Sequence, residues 1–204
     1  MTITRQDLLT HFSLSPQRHY HPQSLGRLAT MPIEQFRAAA VLIGFIERPV
    51  GLSVLLTKRA QHLRHHPGQI SFPGGKQDPT DHSLLETAIR ETEEEVGIPS
   101  SKITPIGTLP PLPTISQFNV TPILAFIDDN HQLTINRDEV AEVIEIPVVK
   151  LLDPSVLKTT TVTIKRTHHR LFGISYKNHF IWGVTGQILH NLALHLSFID
   201  EQHI

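Results

Sequence analysis

Cysteine is absent from the 204-residue chain. That excludes disulfides, thiolate metal sites and a cysteine nucleophile, and agrees with a reducing, cytoplasmic setting. Long apolar runs are missing too. The longest, residues 38–46, has nine residues, whereas a helix needs roughly 20 to cross a bilayer, so no membrane span is expected. The opening MTITRQDLLTHFSLSP mixes Arg, Asp and His into its apolar positions and lacks the unbroken hydrophobic core of a secretory signal. It reads as a short leading helix. Neither charge sign is in excess: 18 Lys and Arg face 19 Asp and Glu, for a formal net charge of -1. No global field draws the chain to nucleic acid or an anionic membrane, and a polyanion site must be a local basic cluster. Internal repeats and low-complexity segments are also lacking.

What is present reads as one folded domain with appendages. Residues 1–35 form a leading helix and an irregular lead-in punctuated by Pro16, Pro22, Gly26 and Pro32; residues 36–197 form the domain; residues 198–204 form a tail. Apolar stretches at 38–46 and 52–57 flank Arg48-Pro49-Val50-Gly51, the pattern of a β-hairpin. A basic, His-rich loop follows, then residues 69–72 and a Pro73-Gly74-Gly75 turn. The strongest helical signal spans residues 83–96, with Ser83 and Glu86 as a capping box and Gly97 and Pro99 as the stop. Strands are expected at 103–109, 120–127 and 143–146, and a last helix at 183–196. Interleaved strands and helices give the class α/β or α+β.

On the helix at 83–96, a turn of 100° per residue puts Leu85, Ala88, Ile89, Thr92 and Val96 in one stripe about 100° wide, which faces the sheet. Glu91, Glu94 and Glu95 fall in another arc, at the edge of that stripe, and Glu86 and Glu93 lie on the opposite flank. Like charges at i, i+3 and i+4 repel, so their grouping is favourable only around a cation. Carboxylate oxygens without thiolates suit a hard ion, Mg²⁺ or Mn²⁺, completed by water and phosphate oxygens. The bland alternative is a solvated acidic face. Arg90, one turn before Glu94, and the preceding Phe72-Pro73-Gly74-Gly75, where backbone can approach a ligand closely, favour the site.

The stretch GGKQDPTDHSLLETAIRETEEEVGI, residues 74–98, resembles the Nudix box. Arg90, Glu91, Thr92, Glu93, Glu94, Glu95, Val96, Gly97 and Ile98 fit its second half, with Thr92 where an aliphatic residue is usual. The first half departs: the five residues that follow Gly75 lead to Asp81 instead of Glu, and eight residues instead of seven separate it from Arg90. The count therefore assigns Asp81 no role as the first acid. That form, and the upstream LLTKRAQHLRHHPGQISFPGG with Leu55, Leu56, Thr57, Arg59, Ala60, Arg64, Gly68, Phe72, Pro73, Gly74 and Gly75 at its fixed positions, resembles the coenzyme A pyrophosphatase branch. A weaker likeness continues through Asp138-Glu139-Val140, Ile146-Pro147 and Phe180-Ile181-Trp182-Gly183.

The resemblance implies a Nudix α/β/α sandwich, a mixed sheet between helices. It implies a metal-dependent pyrophosphohydrolase acting on a small nucleotide substrate, coenzyme A or a derivative, to give 3′,5′-ADP and 4′-phosphopantetheine. Glu91, Glu94 and Glu95 would bind Mg²⁺ or Mn²⁺. Glu94 is the first choice of general base, Glu139 the alternative, and Arg90 orients the glutamates. Arg59, Arg64, Gly74, Gly75 and Lys76 would meet the substrate phosphates. Two rivals stand beside this: a pyrophosphatase for ADP-ribose, NADH or another dinucleotide, and a non-catalytic nucleotide sensor. His62, His65 and His66 lack the partners of a zinc site. His168, His169, Tyr176 and Trp182 are expected in packing or surface roles, Trp182 in the core. Nucleic acid and membrane are not expected partners; a homodimer is left open.

Overall fold

The computed structural model describes residues 2–28, 31–130, 132–151, 153, 155–164 and 167–196. The expected tail at 198–204 lies outside the described residues. Helix α1 (Arg5–Leu14) opens the chain, its Thr4 cap and Asp7 exchanging side-chain and backbone hydrogen bonds. The lead-in is built into the domain: Leu8 is fully buried, and the Ile3 carbonyl accepts the Leu52 amide at 3.1 Å. A short α2 (Pro22–Leu25) precedes the expected hairpin, β1 (Arg37–Arg48) and β2 (Gly51–Arg59). Arg48 pairs with Gly51 across the turn, and Gly51 has φ 108°, a backbone state that side chains disfavour.

There follow β3 (Ile70–Ser71), β4 (Gly74–Lys76), α3 (Leu84–Val96), β5 (Ile103–Thr108), β6 (Leu112–Pro113), β7 (Phe118–Ile127), β8 (Val140–Pro147) and α4 (Val148–Leu151). The main sheet runs β3-β2-β1-β7-β5, with β4 added to β1, β6 to β7 and β8 to β2. β1 and β7 pair in parallel over ten residues, from Arg37 opposite Phe118 to Ile46 opposite Ile127, and the other pairings are antiparallel. The sheet is therefore mixed.

The period of two along the central strands divides the core. Ala40, Leu42 and Ile46 of β1, Leu55 of β2 and Ile123, Ala125 and Ile127 of β7 face α3, where Ala88 and Val96 meet them. Ile43, Phe45, Val54, Leu56, Leu124 and Phe126 face the other way. There they meet Ile188, Leu189 and Leu192 of α5 (Gly183–His195). With residues on both sheet faces buried, the strands read as near-continuous apolar runs.

Sequence reading did not find the second sheet: β9 (Leu157–Ile164), β10 (Thr167–Tyr176) and β11 (His179–Trp182), in the order β11-β10-β9. Much of β9 is exposed, so its LKTTTVTI carries no apolar alternation and is a strand through β-branched Thr and Val. The capping box of α3 is also only half formed. Ser83 Oγ accepts the Glu86 amide at 3.1 Å, whereas the Glu86 carboxylate takes the His82 amide at 2.7 Å.

Candidate active site

The loop between β4 and α3 carries Asp81, and its side chain is held from that loop and from α3 together. Asp81 Oδ2 accepts the Asp78 amide and the Thr87 hydroxyl, each at 2.9 Å. The fork of Arg90 then closes on the same carboxylate, Nε to Oδ1 and Nη2 to Oδ2, both at 3.0 Å. Arg90 Nη1 donates to Glu91 Oε1 at 2.9 Å and to Glu94 Oε2 at 3.1 Å, and Nη2 also reaches the Lys76 carbonyl at 3.4 Å. A guanidinium has five N–H donors, and here each has a partner. The Asp81 carboxyl is held well below the usual carboxylate range by Arg90. The shorter side chain of Asp81, set one residue earlier, still reaches the arginine.

The glutamates of the helix do not share one environment. Glu95 is buried, 4% exposed. Its Oε2 accepts the Thr57 hydroxyl at 3.1 Å and its Oε1 faces the Gly74 amide at 3.5 Å. Thr57 belongs to the β2 face that packs on α3, one period on from Leu55. Burial pushes the Glu95 carboxyl up to about 7, with the Glu91 charge adding to the rise and Thr57, Gly74 and Arg59 opposing it. Glu91 is half-buried; burial raises its pKa, Arg90 opposes the rise, and Glu94 and Glu139 add to it. Gly75 lies against it, and a Cβ there would come 2.5 Å from both Glu91 carboxylate oxygens. Glu94 is exposed.

The expected convergence of three carboxylates on one point is therefore not what is seen. Among the described residues no three His, Asp or Glu side chains are gathered as a metal site. The physical reason is Arg90, which takes up Glu91 and Glu94, while Glu95 turns inward to Thr57 and Gly74. The donor chemistry nevertheless fits a hard cation: the groups are all oxygens, and Glu91 and Glu95 are both raised, first by burial, with the charges of Glu94 and Glu139 adding to the rise at Glu91 and that of Glu91 adding to it at Glu95. A divalent ion is the partner that relieves such repulsion.

Beside Gly74 a cleft of about 620 Å³ opens between the main sheet and the second one. Arg59, Phe72 and Gly74 line one side, and Arg170, Trp182 and Thr185 line the other. The Nε of Arg59 is buried with no hydrogen-bond partner. Trp182 corrects its core expectation: it is 52% exposed at the cleft wall, because alternation on β11 sends Ile181 inward. His169 is buried on the same wall.

Of the other residues expected at the site, Glu139 is exposed and follows the 134–136 segment, whose amides cap the carbonyls of Glu95 and Val96. Its own carbonyl accepts the Ala60 amide at 2.8 Å, which ties it to the end of β2. Arg64 and Lys76 are exposed, and the cleft lining does not include them. His62 contacts the Asp138 carbonyl at 3.0 Å. Sequence reading missed Thr57 as a ligand of Glu95 and Arg170 at the cleft. Thr57 carried a signal, two residues beyond Leu55 on one strand face; Arg170 carried none.

The loop, helix and buried glutamate define a phosphate-chemistry site of one class, and the chain belongs to the Nudix family: the NUDIX domain model matches residues 35–169. A Pectobacterium atrosepticum protein described as an uncharacterized Nudix hydrolase NudL is 40% identical over 191 residues, covering 94% of each chain. A Yersinia pestis protein of the same description is 45% identical over 161 residues, 79% of this chain and 80% of the relative. Among solved structures, a Nudix hydrolase from M. smegmatis, RenU, aligns over 56% of this chain and 72% of its own, with 24% identity and a TM-score of 0.48.

Proposed function

We propose that this Nudix protein hydrolyses the diphosphate of coenzyme A or a derivative to 3′,5′-ADP and 4′-phosphopantetheine, using Mg²⁺ or Mn²⁺. The observation that carries the reading is the position of Glu95, buried against Thr57 and against Gly74, which lines the 620 Å³ cleft. A buried carboxylate pushed towards neutrality is costly to a fold and is characteristic of a functional site. The substrate assignment rests on the upstream signature: its Arg59, Phe72 and Gly74 line the cleft, so the segment resembling the coenzyme A branch is also the one that a substrate in the cleft would meet.

Glu91, Glu94 and Glu95 would hold the ion. When bound, it supplies charge neutralisation on the phosphoryl oxygens and lowers the pKa of water. Asp81 and Arg90 fix the approach of Glu91 and Glu94, and Thr57 fixes Glu95. Glu94, exposed beside them, is the preferred acceptor of the proton from the attacking water; Glu139, near enough to raise the Glu91 pKa, is the alternative. Arg59 offers its unpaired Nε to a substrate phosphate. The gap at Gly75 leaves Glu91 room beside the backbone.

The test is a comparison of kcat/KM for coenzyme A, an acyl-coenzyme A, ADP-ribose and NADH with Mg²⁺ and with Mn²⁺. The reading requires coenzyme A compounds to lead. Preference for ADP-ribose or NADH would keep the hydrolase and discard the substrate, and turnover of none would favour a nucleotide sensor.

A further inference from the structure

The far wall of the cleft, supplied by the second sheet, has its own chemistry. Trp182 of β11 stands opposite Gly173 of β10, and residues two apart on a strand share a face. Trp182 therefore lies on the same face as His169 and Leu171, and all three line the cleft. Counted along β10, this strip runs four residues, roughly 13 Å, from a polar end at His169 across Leu171 to the indole.

The two ends of the strip are unusual in different ways. Trp182 holds the N-cap position of α5, where Ser, Thr, Asn or Asp is preferred, and its side chain makes no cap bond. The ring is also half exposed, and a Cβ on the neighbouring Gly183 would meet nothing within 4 Å, so the space beside it is open. A large aromatic that neither caps nor packs is the kind of local departure that function maintains. Exposed Ile115 and Val184 border the same cleft, which extends its apolar lining. His169 is the reverse case: the residue is 4% exposed, and its Nδ1 is buried with no hydrogen-bond partner. A buried polar atom without a partner is costly, and a ligand lying in the cleft is a means of supplying one.

A ligand group that fits this strip needs a flat apolar face and a polar edge. An acyl chain would cover the apolar surface and leave His169 unpaired, whereas a pantetheine arm has amides but no π-face for the indole. A purine base has both. Nδ1 donates in one ring tautomer and accepts in the other, and the adenine edge carries an amino donor and ring-nitrogen acceptors, so either state finds its match.

We propose that the second sheet forms the adenine subsite of the cleft, with the base stacked on Trp182 above Leu171 and its edge hydrogen-bonded to His169 Nδ1. This rests on the reading that an adenine nucleotide lies in the cleft, whether coenzyme A, ADP-ribose or NADH carries it. It makes Trp182 and His169 specificity-determining residues.

Trp182 is the sole tryptophan of the chain, so its emission reports on the subsite directly. The experiment titrates 3′,5′-ADP, 5′-AMP and 4′-phosphopantetheine into the full-length, metal-free protein and follows tryptophan fluorescence. Isothermal titration adds affinities for Trp182→Leu and His169→Phe. Both nucleotides should quench the emission saturably, and phosphopantetheine should not. W182L should lose nucleotide affinity roughly fivefold to a hundredfold, the range of one base–aromatic stack. H169F should lose roughly twofold to tenfold, the range of one neutral hydrogen bond, and keep the quenching. The His169 ring ¹⁵N signals of the wild type should move with either nucleotide, a readout that needs no variant. Quenching by phosphopantetheine alone would place the other arm of the substrate on this wall and overturn the subsite. Nucleotide binding that leaves both the emission and the affinity of folded W182L unchanged would overturn it too, as would no nucleotide binding at all. Unmoved ring signals with full affinity in H169F would overturn the role of His169. Absence of hydrolysis would refute the proposed reaction and leave nucleotide quenching intact, so the two readings fail separately.

Discussion

Replacing Glu95 by Gln removes the group on which the proposed chemistry depends, yet it should stabilise the metal-free fold at neutral and alkaline pH. The folded-state pKa of Glu95 is pushed from 4.5 up to about 7. Between those values the folded chain keeps a proton that the unfolded chain has released. The contribution to stability is therefore full below pH 4.5 and declines as pH rises through 7. At pH 8 the ionised carboxylate costs at most about 3 kcal/mol, taking about 1.4 kcal/mol per pKa unit. Gln has no charge to bury, and its amide can still accept from Gly74 and donate to the Thr57 hydroxyl. Thermal unfolding in EDTA at pH 8 should place E95Q above the wild type by an amount on the order of 5–10 °C for a chain of this size. The gap should close towards pH 5. Mg²⁺ or Mn²⁺ should raise the wild type and leave E95Q unmoved. Equal melting of the two proteins at pH 8, or a gap that widens towards acid, would refute the electrostatic reasoning.

Gly75→Ala should leave the fold intact and lower kcat by up to about a hundredfold, because the added Cβ displaces Glu91 and small misplacements cost that much; steady-state kinetics and circular dichroism together check this. Asp81→Asn takes the charge from the pair that holds Arg90 and should cost about 1–3 kcal/mol, read from urea denaturation, with a larger relative loss of kcat than of KM. His190, pushed from 6.5 down to about 4, is buried neutral, so its contribution is present above pH 6.5 and lost as pH falls through 4. Acid unfolding of His190→Gln should be less steep over that interval, by at most about 3 kcal/mol.

Much of α3 was legible because its signals are local. The Ser83 cap and Gly97 stop bound it within one residue, and the helical wheel put Glu91, Glu94 and Glu95 on one side. What the wheel could not give was depth: Glu95 is buried because Thr57, 38 residues away in sequence, presents a hydroxyl at the right place on β2. Asp81 looked misplaced when residues were counted, but a loop held by Asp78 and Thr87 carries its carboxylate to Arg90 whatever the count. The hairpin of β1 and β2 was read from two apolar runs and a turn. The second sheet was not, since the exposed Thr-rich β9 lacks the alternation that burial imposes. With that sheet went the far wall of the cleft, and so the placement of Trp182 and Arg170.

The measurement that bears most directly on the central claim is chromatographic analysis of the products of coenzyme A incubated with Mn²⁺ or Mg²⁺ and either wild-type protein or E95Q, both shown to be folded. The account predicts metal-dependent release of 3′,5′-ADP by the wild type and none above background by E95Q. Release at the wild-type rate by folded E95Q would remove Glu95 from the chemistry, and no release by the wild type with either metal would contradict the proposed reaction.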